Sequence, residues 1–455
     1  MTPTKPARSI VILTALLACA VTLGAQAPDR STPPAPGPLR PLRLPAIEAR
    51  TLSNGLPVWI VEEHQVPVVQ VNLLVRAGAA ADPAGKYGLA DMTAALLTDG
   101  AGSRSALEVA DAIDFLGADL RASSGIDESA IRLHVPVAHL AEALPVMADI
   151  VERPTFPDAE IARTKRARLT SILQARDDPS SLAATAFPHL LYGSSHRYGT
   201  PDFGTAANVR SFTADDLRTF YEAWYRPANA QLIVVGDVKP ETVLPMLEEA
   251  FGSWNVRGAA PARPVLDDTQ EPARRQIYLV DKPGAAQSEI RIGWIGVARS
   301  TPDFFPITVM NTLLGGSFTS RLNQNLREKH GYTYGAGSGF DMRIGAGPFA
   351  AGAAVQTDKT ADALREFFNE FRGMLTTPPA TDVDRAKNYV ALRFPGTFQQ
   401  TSSIARRLEQ LIVFSLPQDY YAHYQERIEQ VTPADVERVA QKYIQPDRFI
   451  IVVVG

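Results

Sequence analysis

Apolar residues along this chain fall into short runs and longer stripes at helical spacing, and the two kinds of segment alternate from Leu52 to Val454. Val58–Val61 and Val68–Val75 are rich in β-branched residues and predict neighbouring strands, with residues 62–67 as the turn between them. Ser105-Ala106-Leu107-Glu108 is a capping box, and the helix it opens carries Leu107, Ala110, Ile113 and Leu116 before Gly117 ends it. Residues 130–137 predict another strand, in which Pro136 is tolerable only near the end or on an edge. Leu140, Leu144, Met147 and Ile150 or Val151 follow as a helical stripe; Pro145 fits if the helix starts near Glu142, and otherwise kinks it. The later chain repeats the theme with strands at Gln276–Val280 and Ser288–Trp294, a helix near Phe304–Leu314, and then Gly315-Gly316.

The pattern also repeats at a fixed offset. Thr213 opens a helix with acidic residues in its first turn, Pro227 follows it, and an apolar strand runs to Gly236. Thr432, Pro446 and Gly455 occupy the same three places, each 219 residues further on. Three matches at one offset predict duplicated domains of about 200 residues, within the usual domain range. The expected fold class is therefore α+β: two tandem repeated α/β-sandwich domains, each an antiparallel-rich sheet with helices on one face. The domains are placed at residues 47–257 and 273–455, joined by a Pro- and charge-rich linker at 258–272.

The first 46 residues do not fit either domain. Lys5 and Arg8 precede an uncharged apolar run from Ser9 to Leu23, and Ala25-Gln26-Ala27 fits the small-x-small rule, so residues 1–27 read as a secretory signal peptide cleaved after Ala27. Lipidation at Cys19 is the rival expectation and would place the protein on a membrane. Pro28–Pro45 holds seven prolines and predicts an extended linker over 28–46. The expected compartment is periplasmic or extracellular.

Composition narrows the chemistry. The formal net charge of −4 becomes −6 once the two cations of residues 1–27 are removed, which is no nucleic-acid footprint. Cys19 is the only cysteine, so a chain starting at Pro28 has no disulfide, thiolate nucleophile or cysteine metal ligand. The seven histidines form no HxxEH, HExxH or i,i+4 pair. His134 and His139 would lie on opposite faces if their strand continued.

The repeat, the opening Leu52-Ser53-Asn54-Gly55-Leu56-Pro57-Val58 and the phrase Tyr225-Arg226-Pro227-Ala228-Asn229 resemble the pitrilysin/insulinase family of inverted-motif zinc peptidases. In active members a helix after a glycine carries H-x-x-E-H: two histidines one turn apart bind the metal, and the glutamate is the general base. The matching segment here runs from Gly88 to Leu97 and puts Asp91, Ala94 and Ala95 at those three positions, with Ser171 near the distal-glutamate position. Alanines neither ligate nor accept a proton, and a lone Asp91 is too few ligands for zinc. The expectation is no metal and no cofactor on this chain.

A second part of the pattern is intact. Gly315-Gly316-Ser317-Phe318 through Gly331-Tyr332-Thr333-Tyr334-Gly335 resembles the family's glycine turn, short helix and following strand. Arg327 and Tyr334 match its Arg and Tyr, seven residues apart. The resemblance implies that Tyr334 donates to the oxyanion of a peptide carbonyl, that Arg327 holds substrate oxygens, and that Gly315 and Gly316 line the substrate path. Tyr332 reads as packing and Arg321 as a structural charge that satisfies helix or loop carbonyls. Members of this family exist in which one subunit carries the zinc motif and another the Arg…Tyr pair, closing as a clamshell. The implied assembly is a heterodimer with a zinc-loaded, HxxEH-containing paralogous subunit, acting on unfolded peptides. A proteolytically inactive peptide-binding or scaffold protein is the alternative. Unrelated enzyme chemistry has no support, since the sequence carries no nucleophile elbow and no phosphate loop.

Overall fold

The computed structural model describes Gly37, residues 44–256, 258–259, 261–263, 265–266 and 272–455. The signal-peptide and Cys19 expectations lie outside these residues, as does most of the proline-rich linker. The described residues from 44 to 455 belong to one compact unit.

Within that unit stand two sheets. The first comprises β1 (Glu48–Thr51), β2 (Pro57–Glu62), β3 (Val68–Val75), β6 (Asp119–Ser124), β7 (Ser129–Pro136) and β8 (Ala230–Gly236), ordered β1-β2-β8-β3-β7-β6. A two-strand ribbon of β4 (Gly100–Ala101) and β5 (Arg104–Ser105) stands apart. The second sheet orders β9 (Gln276–Val280), β13 (Ile450–Val454), β10 (Gln287–Ile295), β12 (Pro348–Gln356) and β11 (Gly337–Phe340) from one edge to the other. It follows the first in the same order, without a counterpart of β1 among the described residues.

The duplication extends to register. In the first sheet Val58 pairs with Leu232 and Val71 with Val234. Moving every residue on by 219 gives Ile277 with Ile451 and Ile290 with Val453, and both are pairs of the second sheet. The chain thus repeats a hydrogen-bonding scheme as well as a sequence pattern.

Strands β2 and β3 are not neighbours: β8 lies between them, parallel to β2 and antiparallel to β3. The reason is burial. All seven residues of β8 are buried, and its apolar run Leu232–Val235 takes the centre of the sheet, where both its edges are paired. Other local expectations also shift. Ser105 caps Ala106–Phe115 as a capping box, but the buried stripe is Val109, Ile113 and Leu116, while Leu107 is 70% exposed. The helix around Pro145 starts at Leu140, earlier than Glu142, and takes the proline inside it. Strand β7 ends at Pro136 and passes through a 3-10 turn into that helix, so His134 and His139 do not share a strand.

Alternation decides what each face of the first sheet meets. Val69, Val71, Leu73 and Val75 join Val58, Ile60, Leu232 and Val234 in one core with the helices of the same half. Gln70, Asn72 and Leu74 are also buried, on the opposite face. That face receives the Thr401–Val413 helix of the second half, packed on β3 and β8. Reciprocally, the Pro179–Tyr192 helix of the first half packs on β10 and β13. Each half keeps its own helices on one face of its sheet and lends one helix to the other half.

Candidate functional site

The degenerate metal helix spans Leu89–Leu96 and is held hard at its start. Asp82 accepts from the Gly88 and Ala90 amides at 2.6 and 2.7 Å, and Arg197 donates to the same carboxylate at 3.0 Å. Gly88 sits at φ +95°, and a Cβ there would come within 2.5 Å of the Phe203 backbone, so only glycine fits. Asp91 and Ala95 lie one turn apart and half-buried, while Ala94 is buried. Asp91 is ion-paired to Arg168 of the Asp158–Gln174 helix. Burial pushes the Asp91 carboxyl above its ordinary value, and Arg168 opposes that shift. Ser171 is exposed on the same helix and donates back to the Ala167 carbonyl at 3.1 Å.

These residues do not fit zinc. Two of the three motif side chains are methyl groups, and the third already has a guanidinium as its partner. Among the described residues no group of three or more His, Cys, Asp or Glu is placed to hold a metal ion. The helix instead borders a cavity of about 1170 Å³, lined by Tyr87, Asp91, Arg168, Ser171, Leu182 and Phe203 among others, all from the first half. Arg327 and Tyr334 do not line it.

The Arg…Tyr segment is built on the second sheet. After the Phe304–Leu314 helix, Gly315 passes against the start of β11, and its carbonyl accepts from the Ser338 amide at 3.1 Å. A Cβ on Gly315 would lie 2.3 Å from that same nitrogen, and one on Gly316 would lie 2.9 Å from Asn311 Nδ2. Both glycines thus have a steric reason to be there within this chain.

One helical turn, Arg321–Asn323, then widens into a π-helix over Gln324–Lys329, a form common at functional sites. It is anchored from below by the Thr360–Gly373 helix. Asn325 donates to Glu366 at 2.9 Å and to Glu370 at 2.7 Å, and Arg321 donates to Glu370 at 2.7 Å. Arg321 is structural as expected, but its main partner is this carboxylate; the Gly373 carbonyl is a longer contact at 3.4 Å.

Arg327 projects from the π-helix, with its guanidinium 4.6 Å from the Phe318 ring centroid. Its buried Nη1 is ion-paired to Glu328 Oε1 at 3.0 Å and makes no further hydrogen bond. Gly331, at φ +65°, closes the helix. Tyr332 stacks on His330 at 4.9 Å, in keeping with a packing role. Tyr334 does not start the strand, which begins at Gly337; it occupies a bend just before it. Its backbone is fixed by the Thr333–Val355 bridge and by Thr333 Oγ1 donating to the Ala354 carbonyl at 2.7 Å. The Tyr334 side chain is 92% exposed.

Sequence reasoning missed Arg168, Asn323 and Phe318. Arg168 is 77 residues from Asp91, and no spacing rule connects them. Asn323 and Phe318 lie inside the quoted segment but belong to no motif.

A duplicated α+β sandwich with exchanged helices and an Arg…Tyr turn on its second sheet defines a peptidase-type fold. Residues 58–195 match the family model "Insulinase (Peptidase family M16)", and residues 211–390 match "Peptidase M16 inactive domain". An uncharacterised zinc protease of Mycobacterium leprae is 30% identical over 69% of this chain and 70% of its own length. One from Mycobacterium tuberculosis is 29% identical over 73% and 75%. The crystal structure of a peptidase M16 inactive domain from Pseudomonas fluorescens superposes with a TM-score of 0.83 at 25% identity, covering 90% of this chain and 98% of that one. A Helicobacter pylori protease gives the same TM-score at 22% identity, over 90% and 100%. The chain belongs to the M16, or pitrilysin/insulinase, peptidase family.

Proposed function

We propose that this chain is the non-metal-binding subunit of a periplasmic heterodimeric zinc endopeptidase acting on peptides, and that it lends Arg327 and Tyr334 to the site of an HxxEH-bearing paralogous partner. Zinc resides on that partner. Export follows from cleavage after Ala27, with anchoring at Cys19 as the variant form. The observation that carries the proposal is the contrast between the two half-sites. Asp91, Ala94 and Ala95 offer no metal site. Tyr334, on a pinned backbone, holds its side chain out to solvent, and Arg327, seven residues earlier, is partly exposed.

In the proposed reaction Tyr334 Oη donates a hydrogen bond to the peptide carbonyl oxygen as that carbon becomes tetrahedral. Arg327 donates to substrate backbone or carboxylate oxygens and holds the peptide in register. A single oxyanion donor of this kind is worth roughly a hundred-fold or more in rate.

Co-expression with the HxxEH-bearing paralogue and cleavage of a quenched peptide test this directly. The pair is expected to cleave, neither chain to do so alone, and Tyr334→Phe to lower kcat about a hundred-fold at unchanged assembly. Equal cleavage by the paralogue alone, or a silent Tyr334→Phe, would overturn the proposal in favour of a peptide-binding or scaffold role.

A further inference from the structure

Phe318 is a large apolar side chain left 63% exposed. Single exposed apolar residues are ordinary on protein surfaces and need no account. Three features separate this one from that background.

First, its backbone is fixed. Ser317 Oγ donates to the Thr312 carbonyl at 3.2 Å, and the Ser320 amide closes back on the Ser317 carbonyl at 3.1 Å. Second, the buried side chain of Asn323, 4% exposed, ties Phe318 to the tyrosine segment. Its Nδ2 donates to the Phe318 carbonyl at 2.7 Å, and its Oδ1 accepts from the Ala336 amide at 3.3 Å, two residues beyond Tyr334. Third, the ring carries the Arg327 guanidinium against it at 4.6 Å. The ring and the partly exposed Arg327 side chain thereby form one preset pair, which Asn323 ties to the segment that carries the solvent-facing Tyr334. Rigid aromatic and arginine side chains of this kind are the groups that dominate peptide and protein recognition, because little ordering entropy is lost on contact.

We propose that Phe318 is a specificity-determining contact, selecting peptides with an aromatic or long aliphatic side chain next to the carbonyl or carboxylate held by Arg327, and that Asn323 is the positioning residue keeping platform and tyrosine in register. This rests on the reading that peptides pass over Arg327 and Tyr334. The chemistry is complementary on both counts. The ring offers apolar area that water leaves on contact, and the partly exposed Arg327 side chain, 34% accessible, can donate to a peptide oxygen through the part of its guanidinium that faces solvent.

The test uses the co-purified pair of subunits and matched quenched peptides carrying Phe, Leu, Asp or Lys at each position around the cleaved bond. Phe318→Ala is expected to raise KM about ten-fold for the Phe and Leu peptides, with kcat and the Asp and Lys peptides little changed. Phe318→Leu should restore most of the loss. Asn323→Ala should lower kcat, because it loosens Tyr334, whereas Asn323→Asp keeps the acceptor for Ala336 and should retain more activity. An equal KM change for all four peptides, or none, overturns the proposal. So does loss of subunit assembly in Phe318→Ala on size-exclusion chromatography, which would make Phe318 a subunit contact. Tyr334→Phe with a normal effect beside a silent Phe318→Ala would sink this inference alone. If the pair does not cleave, fluorescence anisotropy of the same peptides on this chain measures the preference directly, and equal binding of Phe and Asp peptides overturns it.

Discussion

At the scale of single residues, the chain separates groups whose role is visible in the sequence from groups whose role appears only on folding. Ala94 and Ala95 belong to the first kind: a methyl group cannot ligate zinc in any fold. Arg168 belongs to the second, because its contact with Asp91 crosses 77 residues. Glu128 also belongs to the second. It sits where the first half meets the second, next to Asp127, whose carboxylate accepts from the Ile344 amide at 2.9 Å. Burial first, then the neighbouring charges of Asp127 and Glu409, push the Glu128 carboxyl up to about 7, with Arg132 and Arg263 opposing. Its folded value thus lies above the ordinary 4.5, so folding favours the protonated form. The stability it contributes is complete below the unfolded value and is lost as pH rises through about 7. Urea unfolding of Glu128→Gln at pH 5 and pH 8 measures this. The variant's stability relative to wild type should rise by about 2 kcal/mol between pH 5 and pH 8; an equal difference at both values would show that ionisation is not the cause.

At the scale of elements, start signals were legible and buried stripes less so. Ser105, Thr213 and Thr432 each cap the helix that local spacing announces, because the donor and acceptor lie within four residues; at the two threonines the structure closes a full capping box with Asp216 and Asp435. Which face of a short helix is buried depends on partners far away in sequence, and so Leu107 shares the spacing of the stripe although it faces water. The place of β8 was hidden for the same reason: nothing between Glu62 and Val68 reveals that a strand from residue 230 onward will come between them. The π-helix under Arg327 carries no local signature either, since its anchors Glu366 and Glu370 come from another helix. The equivalence of the two caps can be tested. Thr213→Ala and Thr432→Ala each remove one acceptor for an N3 amide and should each cost about 1 kcal/mol in chemical denaturation. The double variant should lose the sum, because the two caps share no partners. A cost confined to one cap would mean that the repeat is not energetically equivalent.

At the scale of the whole molecule, the duplication accounts for how the halves are held together. Two copies of a sheet, each with one uncovered face, solve the same problem reciprocally: the Pro179–Tyr192 helix covers β10 and β13, and the Thr401–Val413 helix covers β3 and β8. Only the repeat was visible in sequence, because a helix lent to the other half has the same apolar stripe as one kept at home. The exchange is secured by a polar lock. Glu409, 5% exposed, accepts from Asn72 at 2.7 Å and from Arg132 at 3.0 and 2.8 Å, while Gln70 donates to Asn72 at 2.6 Å. Neither half can unfold without uncovering a face of the other, so residues 44–455 should melt in one calorimetric transition whose van't Hoff and calorimetric enthalpies agree. Glu409→Ala leaves a half-buried guanidinium and a buried amide without their acceptor, and should cost about 3 kcal/mol. Glu409→Gln keeps one acceptor oxygen and should cost less. The loss should appear in hydrogen exchange as faster opening of β3 and of the Thr401–Val413 helix together, although they are more than 300 residues apart in the chain. Two resolved transitions in the wild-type protein, or exchange that speeds up in the helix alone, would show that the lent helices decorate the sheets without coupling the halves. The proposed subunit role needs the opposite: the two sheets must move as one body if a partner is to find Tyr334 at a fixed place.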